Sequence, residues 1–159
     1  MDKPWDRIKR LIRKVGKSFA ISCQHNRPRQ GNIGSMVIGI GLDIVEVHRI
    51  EKVLRGSKSI AGRVFTAEEI KYCSERRNEY QHFAGRFAAK EAALKALGTG
   101  WQGGIRWRDV ETIAGPLGQP RLTFHGRALE LFTESGAVSS LLSITHASDY
   151  AVAFVVLDS

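Results

Sequence analysis

Two acids and a set of bases are the part of this chain best suited to do chemistry. Asp43 ends the apolar run VIGIGLD, and Glu91 sits in the alanine-rich stretch FAGRFAAKEAALKALGTG with Arg86, Lys90 and Lys95. A hard divalent cation such as Mg²⁺ prefers one or two carboxylates, leaving its other positions to waters and substrate phosphate oxygens. Asp43 and Glu91 could supply those two, provided a strand end meets the middle of a helix. Lys95 lies about 40° around a helix axis from Glu91, so it could contact a phosphate or take the proton from an attacking hydroxyl. Arg86 and Lys90, also one turn apart, could hold other phosphates of the same ligand. A metal-bridged phosphate ester suits this set.

Each residue also has a plainer reading. Asp43 could cap the next helix, and Glu91 could be an exposed helix glutamate paired with Lys95 at i+4. His146, after the β-type run LLSIT, is either a satisfied core or edge histidine or a phosphate or hydroxyl contact from a strand end. His48, His82 and His125 have no metal-cluster spacing, and Cys73 reads as a packing residue. The glycines at Gly98, Gly100, Gly103 and Gly104 suit an anion nest or a helix stop equally. No Walker loop and no dinucleotide fingerprint is present.

The elements that must position these groups follow from periodicity. VIGIGLD is short, β-branched and glycine-spaced, as in a buried strand whose backbone is closely approached. Ile44 to Leu54 has helical spacing. Thr66 with Glu69 three residues on forms a capping-box pattern opening a helix through about Ser74. A longer helix is expected from Glu79 to Leu97. Strands are expected at 107–113 and 121–124 around a Gly-Pro-Leu-Gly-Gln-Pro turn, then a helix at 126–135 and strands at 139–146 and 150–157. Helices early and strands late make the expected class α+β, an antiparallel sheet packed on a long helix.

The chain has 159 residues and 43% hydrophobic content, enough for one domain with a real core. Its charge is uneven: residues 1–35 carry +7 of the formal +8, and the remaining body is nearly neutral at +1. Within that leader Trp5, Ile8, Leu11, Ile12, Val15 and Phe19 recur at helical steps among bases. This is an amphipathic basic helix able to touch a membrane surface or a partner, followed by a polar linker. Met36 stands where the first strand begins. The organisation expected is therefore a leader and linker over 1–35, either functional or an upstream-start extension, and a catalytic domain over 36–159. Two cysteines, Cys23 and Cys73, without paired spacing fit a reducing compartment and a cytoplasmic protein. No apolar run approaches the roughly 20 residues of a membrane span.

In order along the chain, VIGIGLDIVEVHRI, FTAEE, FAGRFAAKEAALKALGTG, WRDVE, GPLGQP and SITHASDYAVAFVV resemble the small bacterial-type 4′-phosphopantetheinyl transferases, the holo-acyl-carrier-protein synthase family. The resemblance covers 36–158 and none of the leader. It implies transfer of the phosphopantetheine arm of coenzyme A to a serine of apo acyl carrier protein, with release of adenosine 3′,5′-bisphosphate. It further implies that Asp43 and Glu91 hold Mg²⁺ on the coenzyme A diphosphate and that Lys95 lies near the reacting centre. Arg86, Lys90 and His146 would contact coenzyme A phosphates, with Pro116 and Gly118 by the nucleotide end. Arg49 matches the family position for docking the acidic carrier protein, while Lys52 and Arg55 are weaker candidates. The family's usual assembly is a homotrimer with sites between subunits. A nucleic-acid module using the leader as an electrostatic arm leaves the two acids unexplained. A membrane-peripheral scaffold would need the leader, whereas a transferase needs only the body.

Overall fold

The computed structural model describes residues 36–100 and 104–159; the expected leader helix lies outside them. The elements are β1 (Val37–Glu46), α1 (Val47–Gly56), α2 (Lys58–Val64), α3 (Ala67–Ser74), α4 (Glu79–Ala96), a 3₁₀ turn (Trp107–Asp109), β2 (Val110–Ala114), β3 (Pro120–Phe124), α5 (Gly126–Glu134), β4 (Ser139–His146) and β5 (Tyr150–Asp158). β1, β5 and β4 form an antiparallel sheet in that order, and β2 and β3 form a separate hairpin. This is the expected α+β arrangement, with the sheet lying on α4.

β1 is extended through Glu46, where helical spacing had been expected from Ile44. The reason lies in the partner strand, since Ile44, Val45 and Glu46 pair with Val152, Ala151 and Tyr150 of β5. Strand alternation then explains the same apolar spacing: Gly39, Gly41, Asp43 and Val45 face inward, while Ile40, Leu42 and Ile44 face out. The inward glycines admit α4 to backbone contact. A Cβ on Gly41 would collide with the Ala92 carbonyl, and one on Gly39 with that of Ala96. Asp43, expected at a strand end, lies within β1 opposite Ala153 of β5, and this stretch is held directly against the last turns of α4.

α4 is buried nearly all round, with 12 of its 18 residues buried. Its alanines permit this by letting the sheet approach one side while Phe83 and Phe87 pack on the other. Phe65 meets Phe83 at 5.0 Å between ring centres, and Trp107 meets Phe87 at 4.9 Å. Charged residues on such a helix either find partners or have a task.

Thr66 caps α3 as its sequence pattern predicts: its Oγ1 accepts from Glu69 N at 3.3 Å, and its own N–H donates to Glu69 Oε2 at 2.9 Å. The short helix α2 has no separate signal in the sequence pattern. Residues 107–109 form a 3₁₀ turn because the chain must bend at Trp107, whose ring enters the core, before pairing begins at Val110.

Candidate active site

Three of the expected residues come together where β1 meets α4. Asp43 ends its run on the inner face of the sheet and is 7% exposed. Lys95 reaches across from α4 and donates to Asp43 Oδ1 at 2.8 Å and to the Leu42 carbonyl at 2.9 Å. Glu91 lies one turn earlier on the same helix. The i+4 glutamate–lysine pairing that helix spacing allows is therefore replaced by a cross-element pair between Lys95 and Asp43.

The electrostatics leave one negative charge in excess. Burial raises the Asp43 pKa, partly offset by the hydrogen bond and charge of Lys95. Burial is also the main reason the Glu91 carboxyl is pushed up to about 7; the Asp43 charge adds to it and Lys95 opposes it. Asp43 Oδ2 and Glu91 Oε1 are both buried without a hydrogen-bond partner, an expensive arrangement unless something binds there. Two orphaned carboxylate oxygens beside a single lysine fit a hard divalent cation. Among the described residues no third acid, histidine or cysteine joins them in a metal-binding group. The remaining coordination would fall to water and to a ligand's own oxygens.

Further toward the start of α4, Arg86 lines a cavity of about 150 Å³ with His82, His146, Tyr72, Gly118 and Pro120. Arg86 is 6% exposed, and its guanidinium lies over the Tyr72 ring at 3.8 Å while Arg76 lies over the same ring at 4.4 Å. His82 meets Tyr72 edge-on at 5.8 Å and His146 edge-on at 5.4 Å. Burial is the first cause of a lowered His82 pKa, followed by the charges of His146, Arg86 and Arg76. Tyr72 and His82 were not among the candidates from sequence. Spacing offered a signal for His82, four residues before Arg86 on one face of α4, but none for Tyr72, since Arg76 lies beyond the end of α3.

One expectation requires correction. Lys90 does not face a ligand: it is fully buried, paired with Glu69 at 2.8 Å, and donates to the carbonyls of Trp107 and Val110. Adjacent residues on a helix point about 100° apart, so Glu91 reaches the site while Lys90 reaches the opposite wall. Glu69 is matched in turn, accepting from Thr112 N at 2.9 Å. Gly118 and Pro120 give the cavity a wall from the β2–β3 hairpin.

On the outer side of α1, Arg49 pairs with Glu46 at 2.8 Å. The Val47 N–H donates to the Asp149 carbonyl at 2.8 Å, which ties the start of this helix to the β4–β5 turn. A second, more open groove of about 550 Å³ is lined by Arg55, Arg76 and Arg77 with Glu51, Glu79 and Tyr80. The groove thus sets three arginines against two glutamates, with Arg55 paired to Glu51 at 2.9 Å.

The sequence profile of the 4′-phosphopantetheinyl transferase superfamily matches residues 39–155. A holo-[acyl-carrier-protein] synthase of Geobacter sp. (strain M21) is 48% identical over 124 residues, 77% of this chain and 99% of that protein. The crystal structure of holo-[acyl-carrier-protein] synthase from Neisseria meningitidis superposes with a TM-score of 0.71 at 36% identity, covering 78% of this chain and 100% of that one. That of the Bacillus anthracis str. Ames synthase, in complex with CoA (3′,5′-ADP), gives a TM-score of 0.64 at 36% identity over 78% and 98% of the two chains.

Proposed function

The chain belongs to the 4′-phosphopantetheinyl transferase superfamily, and from that premise we propose that it transfers the 4′-phosphopantetheine arm of coenzyme A to apo acyl carrier protein. A carrier serine oxygen forms a bond to the β-phosphorus of coenzyme A, and the bond from that phosphorus to the bridging oxygen breaks. Adenosine 3′,5′-bisphosphate leaves, and the serine proton passes to a base. The observation that carries this reading is the pair of buried, unpartnered oxygens on Asp43 and Glu91 beside Lys95.

Asp43 and Glu91 would hold Mg²⁺ between them. The ion would supply neutralisation of charge on the diphosphate, the main task in phosphoryl transfer. Lys95, donating two hydrogen bonds to Leu42 and Asp43 of β1, would add positive charge beside the reacting phosphate. With no cation beside it, burial pushes the Glu91 carboxyl up to about 7, and a bound cation would favour its anion. Arg86, His146 and Gly118 line the cavity that would take a coenzyme A phosphate and the nucleotide end. Carrier proteins are acidic, and Arg49 with the Arg55, Arg76 and Arg77 groove offers a complementary surface on the α1 side.

A homotrimer suits two features. The outer sheet face leaves Ile40, Leu42, Ile44, Leu141 and Phe154 exposed, an apolar patch characteristic of an interface. The cavity of about 150 Å³ is also smaller than the roughly 300–1,000 Å³ of sites enclosing a whole ligand, so a neighbouring copy would supply a further wall. Cytoplasmic action in lipid biosynthesis fits the free, buried Cys73, and no helix among the described residues is long and apolar enough to cross a membrane.

Intact-mass analysis of apo acyl carrier protein incubated with the full chain, coenzyme A and Mg²⁺ tests the proposal. A gain of one phosphopantetheine is expected, lost with EDTA and with a folded Glu91→Ala variant. Residues 36–159 alone should give the same gain. No gain on any of several carrier proteins with a folded enzyme would overturn the proposal.

A further inference from the structure

We infer that His82 is a positioning residue for the His146 imidazole, acting from the first turns of α4 on the end of β4. The inference rests on the site reading above, in which His146 faces a phosphate of coenzyme A.

His146 is the last residue of β4, and beyond it the chain turns through Ala147 to Asp149 before β5. A side chain at such a strand end has pairing on one side only, so its ring orientation must be fixed by something else. Two consecutive residues of α4 hold this corner. Gln81 Nε2 donates to the Ala147 carbonyl at 3.1 Å, fixing the main chain just after His146. His82 meets the His146 ring at 5.4 Å and 78°, an edge-to-face contact that fixes the ring itself.

His82 is in turn held from α3. Its ring stands edge-on to Tyr72 at 82°, and Tyr72 carries Arg86 on its face. Arg86, Tyr72, His82 and His146 therefore form one continuous stack along the cavity wall, joining two ligand-facing groups through two rings that need not touch the ligand. The groups facing His82 are Tyr72 from α3, Arg76 from the turn after it, Arg86 from α4 and His146 from β4. Three of these are cationic or able to become so, which favours an uncharged ring between them. An aromatic ring of similar shape should therefore replace His82, whereas loss of the ring should free His146.

Calorimetric titration of the full chain with coenzyme A, alongside steady-state transfer to carrier protein, tests this. The variants are His82→Ala, His82→Phe, His146→Ala and the double alanine variant, each checked by thermal melting. His82→Ala should weaken coenzyme A binding about 3- to 10-fold, the range of one edge-to-face pair, and raise KM in step. Its kcat at saturating coenzyme A should stay within about twofold, because the reacting groups at Asp43, Glu91 and Lys95 are untouched. His82→Phe should recover most of the loss. In the His146→Ala background His82→Ala should add nothing, the signature of a residue acting through its neighbour.

An undiminished loss in that background, or unchanged binding in His82→Ala, would overturn the inference alone. If Ala lowers the melting temperature, His82→Gln repeats the comparison without the ring and is read by the same criteria. Failure of the wild-type chain to bind coenzyme A would overturn the site reading and the inference together.

Discussion

Glu91 binds its proton more tightly folded than unfolded, because burial and the nearby Asp43 both disfavour its anion while Lys95 compensates only in part. The folded carboxyl titrates at about 7 against an ordinary 4.5, so its contribution is most favourable below the ordinary value. It is lost progressively as pH rises through the folded one. Glu91→Gln removes the group that must charge. Without divalent cations at pH 8 the variant should be more stable than wild type by about 1–3 kcal/mol, several degrees in melting temperature, and the gap should shrink at pH 5. Added Mg²⁺ should narrow the pH 8 gap by stabilising wild type alone. An equal gap at both pH values would show that burial, not ionisation, sets it. At this scale the sequence was legible in marking out an aspartate and a helix glutamate with a lysine one turn on, which the fold brings together, though Asp43 lies within β1 and not at its end. Lys90 was misread because it shares a motif with Glu91, and one residue's step around a buried helix separates a site from a core. Nor did the motif reveal its counterion, since Glu69 in a capping box reads as a surface cap until Lys90 arrives against it.

Between β1 and α4 the distance is set by the absence of side chains at Gly39 and Gly41. Gly41→Ala would force its Cβ against the Ala92 carbonyl, and the strand would have to lift from the helix. The expected cost is about 1–3 kcal/mol or more, as for other overpacked interiors. Activity should fall further than stability, because Asp43 two residues on moves relative to Glu91. Thermal melting and transfer rate measured on one preparation check this; a destabilised variant with wild-type kcat would contradict it. Elements defined by local chemistry were legible, including the Thr66 cap and the span of α4. The end of β1 was not, since Ile44 to Glu46, expected to open the following helix, pair with β5 instead. The seven-residue α2 is too short for periodicity to declare it.

As a whole molecule, the chain presents two unlike faces of one sheet. The inner face closes on α4, while the outer carries Leu42 at 56% and Leu141 at 62% exposure. On the homotrimer proposed above, Phe154→Asp, near the middle of β5 and opposite Leu42, should leave the protomer folded and reduce its sedimenting mass to that of a single chain. Transfer activity should fall with it if neighbouring copies complete each site; a monomer of full activity would separate assembly from catalysis. The β-branched run VIGIGLD suggested a buried strand, yet every second residue from Ile40 to Ile44 lies exposed on this outer face, and periodicity could not say what covers it. The two inward glycines bear on how this chain can vary through descent. Their neighbours are main-chain carbonyls, which every amino acid carries alike, so no change at Ala92 or Ala96 can open room for a larger residue at 39 or 41. A lineage that loses either glycine has no compensating substitution within α4, and reversion is the short way back.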